Sequence, residues 1–160
     1  VEIPTLSETL EIIKDISFIN IEIKKDGLDC SEIVNRVISC LNDFSISNKI
    51  ILSSFNHYLL KKLKSKTSRY KTGILYSAFL YKPWEYAAKI NADAIHPYYT
   101  RLTKNIIKNC HRNNLMVNTY TVNQVKEIEK LLTWGVDGII TDNPLIAIDS
   151  QRMNTSYEFD

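Results

Sequence analysis

The chain has 160 residues, of which 44% are hydrophobic and 24% charged, and its formal net charge at pH 7 is +2. This composition is typical of one globular domain with a buried core. The near balance of charge argues against a nucleic-acid-binding protein, which usually has one strongly basic face.

No apolar run approaches the roughly 18–20 residues that a membrane span requires. The first residues lack the basic and apolar regions of a signal peptide. Because the chain begins with Val1 rather than Met, we expect its beginning to be missing. Cys30, Cys40 and Cys110 are too few and too scattered for a disulfide framework or a zinc site, so we predict packed thiols in a reducing, cytoplasmic compartment.

Strands and helices alternate along the whole chain. The predicted strands are Ser17–Lys24, Ile50–Ser54, Gly73–Tyr76, Ala94–His96, Leu115–Tyr120 and Gly138–Thr141. The predicted helices begin at a capping box of Thr5 and Glu8, at Asp29, at Asn56, near Pro83, at Thr100, at Thr121 with Gln124, and at Asn143–Pro144. Gly135 is predicted to end the sixth helix.

Six strand-then-helix units predict an α/β fold with a parallel sheet, and the last five strands start about 22 residues apart, near Lys49, Lys71, Asp93, Leu115 and Asp137. An open doubly wound sheet and a barrel both fit this order. A complete eight-unit barrel takes about 250 residues, and six units take about the length of this chain. A helix that precedes the first strand suggests that the chain starts partway through the architecture. The last residues, 153–160, are polar and are expected to fray.

The first strand alternates strictly between apolar and polar residues. Ile19, Ile21 and Ile23 belong to one face. Asn20, Glu22 and Lys24 belong to the other. If helices cover the isoleucine face, Glu22 and Lys24 face a barrel interior at the strand end where such barrels have their active sites. A strand with a half-exposed outer face explains the same alternation.

These residues also resemble a known family. Asn20–Lys24 is similar to the "N-I-E-I-K" strand of the glycerophosphodiester phosphodiesterases. Further segments match the family in the same order, namely Pro4–Leu6, Ser53–Asn56, Ala94–Pro97, Thr121–Asn123 and Gly135–Pro144. Each segment is a weak signal, but their order and spacing make the resemblance strong across nearly the whole chain.

The resemblance implies a partial (β/α)8 TIM barrel with its first two strands missing, forming a single domain over residues 1–160. It implies that Glu22 binds the catalytic divalent cation, Ca²⁺ or Mg²⁺, and that Lys24 lies beside the phosphate. Tyr120 occupies the position of a family tryptophan and, with Phe55 and His96, is expected to contact a small glycerophosphodiester substrate. The products implied are an alcohol and glycerol 3-phosphate, a reaction of lipid metabolism.

The same resemblance places an H-R-G motif, an E-x-D pair and a further histidine ahead of Val1. A cation that takes about six oxygens is not held by Glu22 alone. We therefore expect the isolated chain to bind metal weakly or not at all and to show no turnover. The alternative is a non-catalytic, degenerate barrel that binds a phosphate ligand or a protein, with self-association through its incomplete edges. An unrelated aldolase-like barrel that uses Lys24 as a Schiff-base amine is the third hypothesis.

Overall fold

The computed structural model of the chain describes residues 2–156, and side chains through Arg152. Its strands are β1 (Ile19–Glu22), β2 (Ile50–Ser54), β3 (Lys71–Tyr76), β4 (Ala94–Pro97), β5 (Met116–Thr119) and β6 (Gly138–Ile139). Its helices are α1 (Leu6–Ile13), α2 (Ser31–Asn42), α3 (His57–Lys66), α4 (Pro83–Ile90), α5 (Lys104–Arg112), α6 (Val125–Trp134) and α7 (Pro144–Ser156). Short 3-10 turns lie at Ser47–Lys49 and Tyr99–Arg101.

The chain divides into two compact units, residues 1–73 and residues 74–160, and the boundary falls inside β3. In the first unit β1 runs parallel to β2, with Ile19 opposite Ile50 and Glu22 opposite Ser53. Parallel neighbours require a crossover, which α2 provides here. Every residue of β2 is buried, as expected of a parallel strand covered on both faces.

The second unit repeats the same construction. β4 runs parallel to β5, with Ile95 opposite Val117, and β5 runs parallel to β6, with Asn118 opposite Gly138. The helices α5 and α6 form the crossovers. Their fully buried side chains include Ile107, Cys110 and Ile128. The alternation of strands and helices predicted from the sequence is therefore confirmed over the described residues.

Four local predictions about helix and turn residues are confirmed. Thr5 and Glu8 form the reciprocal capping box of α1, and the Asn56 side chain accepts a hydrogen bond from the Leu59 amide at the start of α3. Pro83 occupies the first turn of α4, where its missing N–H has no intrahelical partner to lose. Gly135 ends α6 at φ 84°, a left-handed conformation that glycine adopts without a steric penalty.

Three predicted helix starts are wrong. Asp29 accepts a hydrogen bond from the Ser31 amide in the turn before α2, but the N-cap is Cys30, whose side chain makes no capping hydrogen bond. Thr100 lies in a 3-10 turn, and the cap of α5 is instead Thr103, which accepts from the Ile106 amide at 3.2 Å.

The third wrong start is that of α6. Its N-cap is Gln124, and this residue makes no capping hydrogen bond through its side chain. The Val122 amide donates to the Ile140 carbonyl, which lies just after β6. Thr121 and Val122 therefore still belong to the segment that extends β5 beside β6. In each of these cases the tertiary connection decides where the helix begins.

The first strand is shorter than predicted. β1 ends at Glu22, and the Ile23 amide makes one further bond, to the Ser53 carbonyl at 2.8 Å. Lys24 therefore lies in the loop that follows the strand. Of the residues predicted to fray, 153–156 continue α7 as a helix, and 157–160 lie outside the described residues.

Candidate active site

The carboxyl ends of β1 and β2 border a cavity of about 560 Å³ in the first unit. Its charged lining consists of Glu22, Lys24, Lys25 and Asp26. Phe55 contributes an apolar wall and is 54% exposed. Carboxylates and ammonium groups thus meet at the end of parallel strands, where loops rather than ladder bonds determine the side-chain positions.

Glu22 belongs to the polar face of β1. Ile19 and Ile23 are each 5% exposed and belong to the opposite face, whereas the Glu22 side chain is exposed and lines the cavity. Its register partner Ser53 is fully buried, and the Ser53 hydroxyl has no hydrogen-bond partner among the described residues. The alternation predicted from the sequence thus separates a packed face from a face that carries a solvated carboxylate.

The described residues do not by themselves form a complete metal site. Among them, no three His, Cys, Asp or Glu side chains come close enough together to hold one ion. A hard cation such as Ca²⁺ or Mg²⁺ takes about six or more oxygen ligands. Glu22 fits the chemistry of one such ligand, and the full set requires oxygens beyond those of the described residues.

The second unit contains a buried polar layer across three strands. His96 on β4 is fully buried, and its Nε2 lies 3.0 Å from Nδ2 of Asn118 on β5. Asn118 in turn packs on Gly138 of β6, where an added Cβ would lie 2.5 Å from the Asn118 Oδ1. Burial lowers the pKa of His96 to about 4, so its imidazole is neutral at pH 7. In the part of the chain that the structure describes, His96 Nδ1 has no hydrogen-bond partner.

Tyrosine side chains follow the ends of β4 and β5. The Tyr99 amide donates to the Tyr120 carbonyl at 2.8 Å, and the rings of Tyr98 and Tyr120 lie 6.0 Å apart in a tilted arrangement. The Thr119 hydroxyl donates to the Pro97 carbonyl at 2.9 Å and ties the two strand ends together. Tyr120 is therefore held from its backbone, and its ring is half-buried.

Arg101 was not identified from the sequence. Its Nε donates to the Ser77 carbonyl at 2.8 Å, and its guanidinium carbon lies 4.1 Å from the Phe79 ring centre and 5.8 Å from that of Tyr98. Such stacking orders an arginine without neutralising its charge. Nothing in the order of residues distinguishes this arginine from other surface cations, because two of its partners, Ser77 and Phe79, lie on a different loop.

Two of the motifs that carried the resemblance bind each other. The Asn123 Oδ1 accepts from the Asp142 amide and from the Thr141 hydroxyl, each at 3.0 Å. The Asn123 Nδ2 donates to the Asp142 carboxylate at 2.6 Å. These residues follow β5 and β6, so the contacts connect two neighbouring strand ends. The structural role of the motifs is thus to shape the loops at this end of the sheet.

The cysteines are free thiols, and Cys30 and Cys110 are buried. Burial raises the pKa of the Cys110 thiol to about 12, which makes it unreactive at neutral pH. The neighbouring His111 forms a surface pair with Asp137 at 2.9 Å. Both residues therefore serve packing and surface contacts in the described structure.

The parallel strands and their crossover helices define an α/β fold, and comparison with known proteins identifies the family. The chain belongs to the glycerophosphoryl diester phosphodiesterase family, whose sequence model matches residues 1–146. It is 35% identical over 151 residues to a glycerophosphodiester phosphodiesterase of Caldanaerobacter subterraneus, a match that covers 94% of this chain and 62% of that protein.

Solved structures share the fold. A phosphodiesterase from Oleispira antarctica, in complex with the product sn-glycerol-3-phosphate, matches with a TM-score of 0.84 and 20% identity, over 93% of this chain and 61% of that one. A glycerophosphodiester phosphodiesterase from Parabacteroides distasonis matches with a TM-score of 0.83 and 19% identity, over 97% and 65%. The chain has the fold of a partial TIM barrel and spans about three fifths of the length of its curated relative.

Proposed function

We propose that the full-length protein hydrolyses glycerophosphodiesters to an alcohol and glycerol 3-phosphate in a reaction that depends on a divalent cation. The observation that carries this proposal is the presence of Glu22 and Lys24 in one cavity at the carboxyl end of a parallel strand. Family membership and the named relative support the same reaction class.

The two side chains have complementary roles in this proposal. Lys24 supplies a fixed positive charge for the phosphate, whose negative charge redistributes in the transition state. Glu22 supplies one carboxylate ligand for Ca²⁺ or Mg²⁺, which when bound neutralises phosphate oxygens. A lysine beside the ion adds positive charge without competing for it, because an ammonium has no lone pair to offer.

We propose aromatic substrate contacts for each unit taken by itself. We assign Phe55 to this role in the first unit, because more than half of its ring is exposed beside the charged residues. In the second unit we assign Tyr120 to this role, whereas His96, fully buried in the layer beneath the strand ends, is assigned to supporting that layer through Asn118. The neutral imidazole expected at pH 7 suits hydrogen bonding rather than ion pairing.

We further propose that the 160 residues alone bind metal weakly and do not turn over substrate, because Glu22 needs additional oxygen ligands. Titration of the chain with Mg²⁺ and Ca²⁺ by calorimetry tests this directly. Dissociation constants below about 10 µM for the chain, in the range of sensor sites, would contradict it. The free thiols support a cytoplasmic location as part of the same proposal.

Paired substitutions in the full-length protein test the catalytic assignment. Lys24→Ala and Glu22→Gln are expected to lower kcat/KM for glycerophosphocholine by about 10²–10³-fold, the usual effect of removing one electrostatic contact to the transition state. Lys25→Ala is the matched control, because it removes an adjacent cation that lines the same cavity. Equal activity of the Lys24 and Lys25 variants would contradict the assignment.

A binding module that does not catalyse is the second candidate. It is favoured by β1, which hydrogen-bonds β2 on one side and has no other strand partner in the first unit as described. Such an edge is available for pairing with a second chain. Normal phosphate binding without hydrolysis by the full-length protein would select this candidate.

A further inference from the structure

Lys24 lies beyond the strand ladder, yet the backbone on its amino-terminal side is fixed. The last ladder bond runs from the Ile23 amide to the Ser53 carbonyl at 2.8 Å. The buried Ser54 hydroxyl then donates to the Ile23 carbonyl at 2.7 Å. A side chain of β2 thus holds the peptide group that joins Ile23 to Lys24.

The backbone on the carboxyl side of Lys24 is held by Asn56. Its Nδ2 donates to the Lys25 carbonyl at 3.0 Å and to the Gly27 carbonyl at 2.7 Å, and lies 3.5 Å from Cys30 Sγ. Gly27 has φ 82°, so its turn adopts a conformation that is open mainly to glycine. The two carbonyl bonds use both protons of the amide group.

The other end of the same side chain caps a helix. Asn56 Oδ1 accepts from the Leu59 amide at 3.2 Å, and the Asn56 amide donates to the Ser54 hydroxyl at 3.0 Å. One amide side chain therefore connects the start of α3, the end of β2 and the loop after β1. Its orientation is unambiguous, because its oxygen faces a donor and its nitrogen faces acceptors.

We propose that Asn56 is a positioning residue that fixes the Lys24 loop through its bonds to the Lys25 and Gly27 carbonyls, here called the Asn56 bridge. The inference rests on the proposed role of Lys24 and adds the residue that holds the Lys24 loop in place. A lysine has a long, flexible side chain, so an anchored backbone reduces the freedom that must be lost when it meets a phosphate. An asparagine that served only as a helix cap would need its oxygen alone.

Substitutions that keep the cap and remove the bridge separate these two roles. Asp and Ser both accept the Leu59 amide as good N-caps, but neither offers the two N–H donors. Asn56→Ser avoids the negative charge of Asn56→Asp and serves as the second variant if the first folds poorly. Thr103→Ala is the matched control, because it removes a helix cap of the same kind from α5.

Hydrogen exchange of the full chain measures the bridge without reference to activity. In Asn56→Asp and Asn56→Ser, the amides of Ile23 and Ser31, which donate hydrogen bonds at the two ends of the loop, are expected to exchange about tenfold faster than in the wild type, while α3 stays protected. Thr103→Ala is expected to leave both amides unchanged. Wild-type exchange at both amides in both Asn56 variants would overturn the bridge.

Inhibition of the full-length protein by inorganic phosphate then connects the bridge to Lys24. We expect Asn56→Ser and Lys24→Ala each to weaken inhibition by about tenfold, and the double variant to be no weaker than Lys24→Ala alone, because both changes act through one contact. Additive losses would overturn positioning through Lys24. Unchanged inhibition in Lys24→Ala would instead overturn the proposed role of Lys24, whereas the exchange profile decides on the bridge separately.

Discussion

Two histidines of the chain have very different environments. His96 follows Ile95 in a strand and is fully buried, whereas His111 follows Cys110 in a helix and pairs with Asp137 at the surface. Burial removes water from the His96 ring and so penalises its charged form. The difference arises from the register of neighbouring strands, since Asn118 on β5 lies directly beside His96.

This burial predicts a dependence of stability on pH. The pKa of His96 is about 4 when folded and 6.5 in the reference state, so between these values the unfolded chain binds more protons. The contribution of His96 to the free energy of unfolding is therefore fully present above pH 6.5. It falls by on the order of 3 kcal/mol as the pH drops toward 4. Urea unfolding at several pH values measures it.

The matched variants for that experiment are His96→Gln and His57→Gln. His96→Gln is expected to flatten the profile between pH 4 and 6.5, because the group that titrates differently in the two states is gone. His57→Gln removes a histidine from a position that is not buried. A slope that survives in His96→Gln would show that other groups cause it.

Gly138 provides a second test at this scale. A methyl group there would lie 2.5 Å from the Asn118 Oδ1, and Asn118 is held by His96. We expect Gly138→Ala to reduce the free energy of unfolding by about 1–3 kcal/mol through overpacking. Gly138→Ala combined with Asn118→Ala should recover part of the loss. A single variant as stable as the wild type would contradict this packing.

At the scale of elements, the capping residues show why some predicted helix starts are observed and others are not. Thr5 and Asn56 cap the helices that their sequence context predicts, because their partners are three residues ahead in the same chain. Thr100 has the same local signal but lies in a 3-10 turn. The Tyr98 and Tyr99 amides are bonded to the Tyr76 and Tyr120 carbonyls of neighbouring strands, which delays the helix.

This difference gives a paired prediction for α5. Thr103→Ala should lower the free energy of unfolding by about 1 kcal/mol, because the Ile106 amide loses its acceptor. Thr100→Ala should change it by less than about 0.5 kcal/mol, as expected for an exposed residue without a cap bond. Thermal and denaturant unfolding of both variants measure the difference, and a reversed order would contradict the assigned cap.

At the scale of the whole molecule, β1 pairs with β2 in the first unit and β6 pairs with β5 in the second. None of the helices in the described part of the chain has the length and apolar character that crossing a bilayer requires. A single domain over residues 1–160 stays a prediction. The family match continues through both compact units.

The edge of β1 predicts self-association of the 160-residue chain through strand pairing. Light scattering is expected to show a mass above that of the 18.5 kDa monomer, rising with concentration. Asn20→Lys places a charge on this exposed edge and should reduce the association, whereas Asn113→Lys adds the same charge to a helix end. A monomer at all concentrations would contradict pairing at this edge.

Local order and chemistry were largely predictable from the sequence. The period of β1 assigned Glu22 to the face opposite Ile19 and Ile23, because side chains of a strand alternate whatever the strand pairs with. The resemblance of short segments identified the family. Caps whose partners lie within one helical turn were predictable for the same local reason.

Only the tertiary structure determined which distant groups meet. The Asn56 bridge joins residues about 30 positions apart, the His96–Asn118 contact depends on strand register, and Arg101 depends on a loop after β3. Sequence alone contains the residue types of such contacts but not their pairing. The pairing is set when strands adopt a register and bring their loops together, and that follows from the packing of the whole unit.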